Sequence, residues 1–398
     1  MPEFNALSFV EEQVQKLRET VGNERVLAAV SGGVDSTTAA VLARKAIGSN
    51  VVSLFMDTGF MRINEPESII KTLSSLPIPL NVEAVDARKR FLTRMKGIPD
   101  AEKKRKVFRA AFYEVLSDEA RRRGCSFLLQ GTIAPDWIET RGGIKTQHNV
   151  LSQIGINPEK RYGFKVLEPL ADLYKFQVRE VARVLGIREE LFRRQPFPGP
   201  GLSVRVVGAI SRRKLEALKK ADLVVRRCLD SMGCDQYFAV ILDGGTRKNR
   251  ATKTAEIEAM SSLGGYVDKV TADLLLNRAT GMEEGARRYG KVLAIALSRK
   301  DELIVPSVKE AVQAQDAIVK KLPGVCHVLV ETARSRRRAP YVAAIRAVQT
   351  KDFMTASVSE LDPTLLVNVS QTILNECPEI SRTYYDVTPK PPATIEFE

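Results

Sequence analysis

Apolar positions in the first half of the chain recur with two different periods. Phe9, Val10, Val14, Leu17 and Val21 share one face at helical spacing, and Gly22 follows as a stop. The next apolar run, 26–30, is short and unbroken and predicts a buried strand over 25–30. Further strand candidates stand at 51–56, 80–85 and 126–130, with helical patterns between them, including a long basic stretch over 102–123. A further helical pattern covers 174–185 and stops near Gly186. This alternation predicts an α/β fold: a doubly wound parallel sheet with helices on both faces. Ligands of such sheets bind beyond the carboxyl ends of the strands. The segment Gln195-Pro196-Phe197-Pro198-Gly199-Pro200-Gly201 can continue neither a helix nor a central strand, so it predicts a boundary between domains 1–195 and 196–398. Beyond it, runs at 237–242, 291–297, 327–330 and 341–348 mix with helical stretches. They predict an α+β domain whose strand pairs hint at an internal duplication.

Between the run 25–30 and the helical stretch 37–46 stands Ser31-Gly32-Gly33-Val34-Asp35-Ser36. A strand, a Gly-rich turn and a helix start together make an anion site, because the first helical N–H groups lack partners and the helix dipole favours negative charge. Gly32 and Gly33 allow a tight turn and close approach to a phosphate. No Gly-Lys-Ser/Thr tripeptide and no Gly-x-Gly-x-x-Gly is present, which excludes the two commonest phosphate loops. A capped turn without ligand is the plain alternative. Asp57-Thr58-Gly59 and Gly131-Thr132 fall at other strand ends, where one crevice could collect all three segments.

Composition narrows the partners. The 398 residues carry a net charge of +13, which suits anionic partners, whether nucleotides, nucleic acid or an acidic protein. Aromatics are only 6%, and no nucleic-acid module is recognisable. The five cysteines are scattered and there are two histidines, so a zinc site or disulfide framework is not expected. No apolar run is long enough to span a membrane and the start lacks a secretory pattern, so a reduced, cytoplasmic protein is expected. Four arginines within Arg334-Ser335-Arg336-Arg337-Arg338 read as a solvated loop.

The hexad resembles the pyrophosphate loop of the N-type ATP pyrophosphatases, which cleave ATP between its α- and β-phosphates and adenylylate a substrate. Other strings extend the likeness: Phe55-Met56-Asp57-Thr58-Gly59, Glu102-Lys103-Lys104-Arg105-Lys106, Gln130-Gly131-Thr132-Ile133, Glu168-Pro169-Leu170, Asp352-Phe353-Met354-Thr355 and the terminal Lys390-Pro391-Pro392-Ala393-Thr394-Ile395-Glu396-Phe397-Glu398. Together they resemble the ATP pyrophosphatase and dimerisation domains of the GMP synthase family. Two places depart from that pattern: Gln147-His148-Asn149 in the lid, and Gly285-Ala286-Arg287-Arg288, where an acidic residue is missing. The stretch 243–325 is also longer than in short bacterial members.

The resemblance implies ATP and Mg²⁺ as cofactors, and adenylylation of xanthosine 5′-monophosphate (XMP) at its C2 oxygen followed by amination to GMP. It implies an ATP site of Ser31, Gly32, Gly33, Val34, Asp35, Ser36 and Thr37, with Leu54, Phe55 and Met56 at the adenine and Gly131 nearby. Asp35, Lys145 and Asp136 are the implied catalytic residues, with Glu139 beside Asp136 and Asp35 positioning Mg²⁺. For XMP, Arg105, Lys390, Thr394, Ile395 and Glu396 are implied. Read without the resemblance, Asp136 is a turn residue, Lys145 a surface lysine and the last residues a frayed end. None of the cysteines sits in a glutaminase-type elbow, so ammonia is expected from a separate glutaminase subunit or from solution. A homodimer is also expected. The alternatives are a tRNA-modifying ATP pyrophosphatase, supported by the same loop and the basic charge, and an ATP-binding sensor without turnover.

Overall fold

The helical face at the start of the chain forms α1 (Ala6–Val21), which buries Val10, Val14, Leu17 and Val21. Asn5 caps it by accepting from the Leu7 and Ser8 N–H groups, and Gly22, at φ +58°, closes it. The computed structural model describes residues 4–136, 155–191, 195, 197–265, 267–350 and 354–398. The chain divides into two compact units: 1–95 with 105–200, and 96–104 with 201–398.

In the first unit the apolar runs become strands β1 (Arg25–Ala29), β2 (Val51–Asp57), β3 (Val82–Asp86), β4 (Cys125–Leu129) and β5 (Lys165–Leu167). They pair in the order β3-β2-β1-β4-β5, and every neighbouring pair is parallel. The helices are α2 (Val34–Ile47), α3 (Glu65–Ser74), α4 (Arg88–Met95), α5 (Ala101–Arg123, of which 101–104 count with the second unit), α6 (Pro158–Tyr162) and α7 (Lys175–Val184). The stretch from Ala39 to Ala43 of α2 is wholly buried with Val26, Ala28 and Phe55, so α2 is a core helix. Strand order reverses between β1 and β4, which opens a crevice beyond their carboxyl ends.

Two boundaries and one strand of this unit differ from the sequence reading. Helix α2 begins at Val34 rather than 37, so half of the hexad is its first turn. Leu80 precedes β3 instead of starting it, with its N–H bonded to the Leu73 carbonyl at 3.2 Å. Strand β5 was not anticipated, because three residues are too few to show a period.

The second unit contains α8 (Arg212–Leu229), β6 (Gln236–Asp243), β7 (Thr246–Arg247), α9 (Arg250–Ser262), β8 (Lys269–Glu283), β9 (Ala286–Arg299), β10 (Glu302–Ile304), α10 (Val308–Lys321), β11 (Val325–Arg334), β12 (Tyr341–Gln349), β13 (Ser357–Val358), α11 (Pro363–Glu376) and β14 (Ile380–Asp386). Its mixed sheet runs β13-β12-β14-β11-β9-β8-β7, with β10 on β9 and β6 on β12. Two crossovers through a helix, β9–α10–β11 and β12–α11–β14, each join parallel neighbours. The long stretch 243–325 is built around the antiparallel hairpin β8–β9. Among the buried residues of one core cluster, with Phe238, Val240, Leu329 and Tyr384, lies Phe397, so the end of the chain is part of this core.

Candidate active site

The hexad leaves β1 and enters α2 in one tight turn. Gly32 sits at φ +75°, and a Cβ there would meet Ile69 of α3 at 2.8 Å, so both conformation and packing demand glycine. Gly33 is the N-cap of α2 and has no side chain to satisfy the helix's first N–H groups, which stay available to a ligand. The two serines brace the turn. Their hydroxyl oxygens are 3.0 Å apart, the Ser31 N–H donates to Ser36 Oγ at 3.2 Å, and Ser36 Oγ also donates to the Gly33 carbonyl at 3.2 Å. Thr37 is wholly buried in α2, and its hydroxyl has no hydrogen-bond partner among the described residues.

Gly131, just beyond β4, lies directly against this turn. A Cβ at 131 would stand 2.6 Å from the Asp35 carbonyl carbon and the Ser36 nitrogen. The two sides of the crevice therefore meet backbone to backbone. The carboxylate of Asp35 is gripped by Lys175, whose ammonium donates to both oxygens at 2.8 and 2.6 Å. Lys175 was missed in the sequence, although a signal existed. It is the first residue of α7, where the helix dipole disfavours a cation, and no acidic residue in that turn offsets it.

Asp57 accepts from the Gly59 N–H at 2.8 Å and lies 3.6 Å from Arg88. Thr132 donates to Glu168 at 2.6 Å, and burial raises the Glu168 carboxyl above its ordinary range. Asp136 accepts from the Ile133 N–H at 3.0 Å and so closes a local turn. Leu54, Phe55 and Met56 are buried within β2, where they pair with β1 or β3 rather than projecting from the strand end. Glu139, Lys145 and the segment 147–149 lie outside the described residues.

The remaining implied residues fall into two places. Arg105 is buried in α5 of the first unit. The terminal segment belongs to the second unit and is packed rather than frayed: Ala393 and Phe397 are fully buried. Its peptide bonds into Pro391 and Pro392 are cis. The Lys390 N–H donates to the Ala356 carbonyl at 2.8 Å, and the Met282 and Thr280 N–H groups donate to Pro392 and Phe397, each at 2.8 Å. Beneath it, His327 stacks on Phe397 at 4.0 Å between ring centres. Its ring nitrogens face the Asp386 carboxylate at 2.8 Å and the Thr280 carbonyl at 3.0 Å. Burial acts to raise Asp386, but Arg346 at 3.0 Å and His327 outweigh it and hold the carboxyl below its usual value. Arg346 also donates to the Thr388 carbonyl at 2.6 Å and the Thr394 carbonyl at 3.1 Å.

Two glutamates finish the segment. Both oxygens of Glu396 are taken by the Arg205 fork, at 2.9 and 2.8 Å. Glu398 pairs with the buried ammonium of Lys104 and accepts from the Gly208 N–H at 2.8 Å. Burial pushes the Glu398 carboxyl up to about 7 and pulls Lys104 down. Lys104, Arg205, Arg346 and Asp386 had no role in the sequence reading.

Comparison with known proteins meets the same two regions. A PP-loop domain matches residues 7–189, and a GMP synthase C terminal domain matches residues 326–397. A curated protein of Saccharolobus solfataricus, named as one of the subunits of a glutamine-hydrolyzing GMP synthase, is 46% identical over 397 residues, covering 99% of this chain and 100% of that protein. The chain belongs to this family of GMP synthase subunits. Proteins of the same name from Sulfurisphaera tokodaii and Pyrococcus horikoshii are 44% identical over 395 residues and 37% over 392. They cover 99% and 98% of this chain, and 100% and 98% of their own length. The PP-loop match thus contains the hexad, Gly131 and Lys175. The GMP synthase C terminal match contains His327, Arg346, Asp386 and most of the terminal segment.

Proposed function

We propose that this chain is the synthetase subunit of a GMP synthase, a ligase that forms a C–N bond. ATP adenylylates the C2 oxygen of XMP with release of pyrophosphate. Ammonia from a separate glutaminase subunit then displaces AMP and leaves GMP. The observation that carries this reading is the loop itself: a glycine-capped helix start with a carboxylate and a lysine beside it, in a chain of the GMP synthase family. Free N–H groups at residues 34–36 hold the β- and γ-phosphates as the leaving pyrophosphate gains charge. Lys175 adds positive charge on the same side.

Mg²⁺ fits this loop as a shared ligand. Among the described residues no three His, Cys, Asp or Glu cluster into a protein cage. Asp35 offers one partly exposed carboxylate, the usual protein share of an Mg²⁺ held mainly by nucleotide phosphates. When bound, the ion neutralises phosphate charge. Asp35 orients it through a carboxylate whose own direction is set by Lys175.

The terminal segment, with Lys390, Ile395 and Glu396, serves the XMP. In our reading the chain works in the cytoplasm as a homodimer. Pyrophosphate release is measured with ATP, Mg²⁺, ammonium and XMP, and we expect it to depend on XMP. Release with tRNA but not with XMP overturns the proposal. A monomer by light scattering overturns the homodimer.

A further inference from the structure

The terminal segment is held by side chains that no nucleotide can reach. Arg205 is 0% exposed, while Glu396, which it grips, is 21% exposed. The fork is therefore closed on the arginine side and open on the carboxylate side. Each Glu396 oxygen spends one lone pair on Arg205 and keeps another. Arg205 is itself fixed from behind: its guanidinium lies 3.8 Å above the Phe238 ring, and Asp222 stands 3.6 Å away at 1% exposure. A planar fork sets both the position and the plane of a carboxylate, which a lysine cannot do.

Lys104 plays the matching part at the last residue. Its side chain is 0% exposed, Glu398 is 2% exposed, and the ammonium also donates to the Val206 carbonyl at 2.6 Å. Lys104 stands in the basic string that contains Arg105, yet its charge is spent entirely inside the second unit. Glu396 and Glu398 are thus pinned on either side of the buried Phe397.

We propose that Arg205 and Lys104 are positioning residues of the acceptor-nucleotide site, fixing Glu396 and the segment that begins at Lys390 for the purine monophosphate. The inference rests on the reading of this segment given under Proposed function. Arg205 acts only through Glu396, and Lys104 only through Glu398. Neither touches substrate.

The test is calorimetric binding of XMP, with steady-state KM for XMP and for ATP, on wild type, Arg205→Met, Glu396→Gln and their double variant. We expect each single variant to weaken XMP at least about tenfold and to leave KM for ATP within about twofold. The double variant should be no worse than Glu396→Gln alone, because Arg205 has nothing left to position. Losses that multiply in the double variant, or unchanged XMP binding in Arg205→Met, overturn the proposal. Removing Arg205 takes a cation from beside the buried Asp222, so a variant that fails to fold is replaced by Arg205→Lys in the same cycle, which keeps the charge and loses the fork. Lys104→Met is paired with Glu398→Gln in the same way. Wild-type protein that binds ATP but not XMP sinks the acceptor reading itself. Wild-type binding with unaffected variants sinks only the positioning roles.

Discussion

The pyrophosphate loop and the terminal segment solve opposite problems with polar groups. The loop keeps its groups unfinished: a glycine cap with no side chain, a partly exposed carboxylate and a lysine at a helix start. The terminal segment finishes nearly everything. Its two glutamates meet a guanidinium and an ammonium, and its Thr394 carbonyl meets Arg346. A site that must hold and release a phosphate needs donors left open, with a rigid backbone to aim them. A chain terminus that must present a few groups in fixed places needs the reverse, since an unpaired end would fray.

The strongest way to break this comparison is to disturb the loop where backbone meets backbone. Gly131→Ala places a Cβ 2.6 Å from the Asp35 and Ser36 main chain, and no flexible side chain can give way. We expect XMP-dependent pyrophosphate release to fall by about 100-fold or more, since small misplacements of a phosphate cradle are costly. XMP binding by calorimetry should stay within about twofold. An equal loss of XMP binding would mean the two regions are not separable.

Lys175→Met is next in size. It frees Asp35 and removes a cation beside the loop. We expect kcat/KM for ATP to fall by about tenfold, with thermal stability almost unchanged, because the pair is partly exposed to solvent screening. A drop in melting temperature as large as that of a core variant would make Lys175 a structural prop instead.

How much of this was legible depends on sequence distance. The hexad, its strand and its helix are contiguous, so period and turn chemistry reveal them together. Lys175 lies 140 positions from Asp35, Arg205 lies 191 from Glu396, and Lys104 lies 294 from Glu398. Such pairs leave no local pattern. Strands β8 and β14 escaped for another reason. In β14 the polar Ser381, Arg382, Thr383 and Asp386 interrupt the apolar run, yet Thr383 and Asp386 are fully buried in the fold and meet partners in the sheet rather than water. Polar residues that are satisfied internally read, in sequence, like loop.

The buried end should also report pH. Glu398 has a folded value of about 7 against 4.5 for an ordinary glutamate, so the folded chain binds its proton more tightly than the unfolded chain. Stability from this group is full below about 4.5 and is lost as pH rises through about 7. Wild type should therefore lose melting temperature between pH 5 and pH 8 relative to Glu398→Gln, which lacks the titration. Parallel pH profiles for the two proteins would show that Glu398 stays ionised throughout and that the Lys104 pair outweighs burial.

The smallest expected effect comes from one hydroxyl. Thr280 Oγ1 lies 2.6 Å from Thr394 Oγ1, and Thr394 also donates to the Thr280 carbonyl at 3.0 Å. Thr280→Val removes the first contact, together with the one from Thr280 Oγ1 to the Glu396 carbonyl at 3.2 Å, and keeps the second, so stability should fall by only about 1–2 kcal/mol. If the terminal segment is held as a unit by many partners, XMP affinity should weaken no more than about threefold and ATP affinity not at all. A far larger loss for XMP would concentrate the positioning in this threonine pair and take it away from the two buried cations.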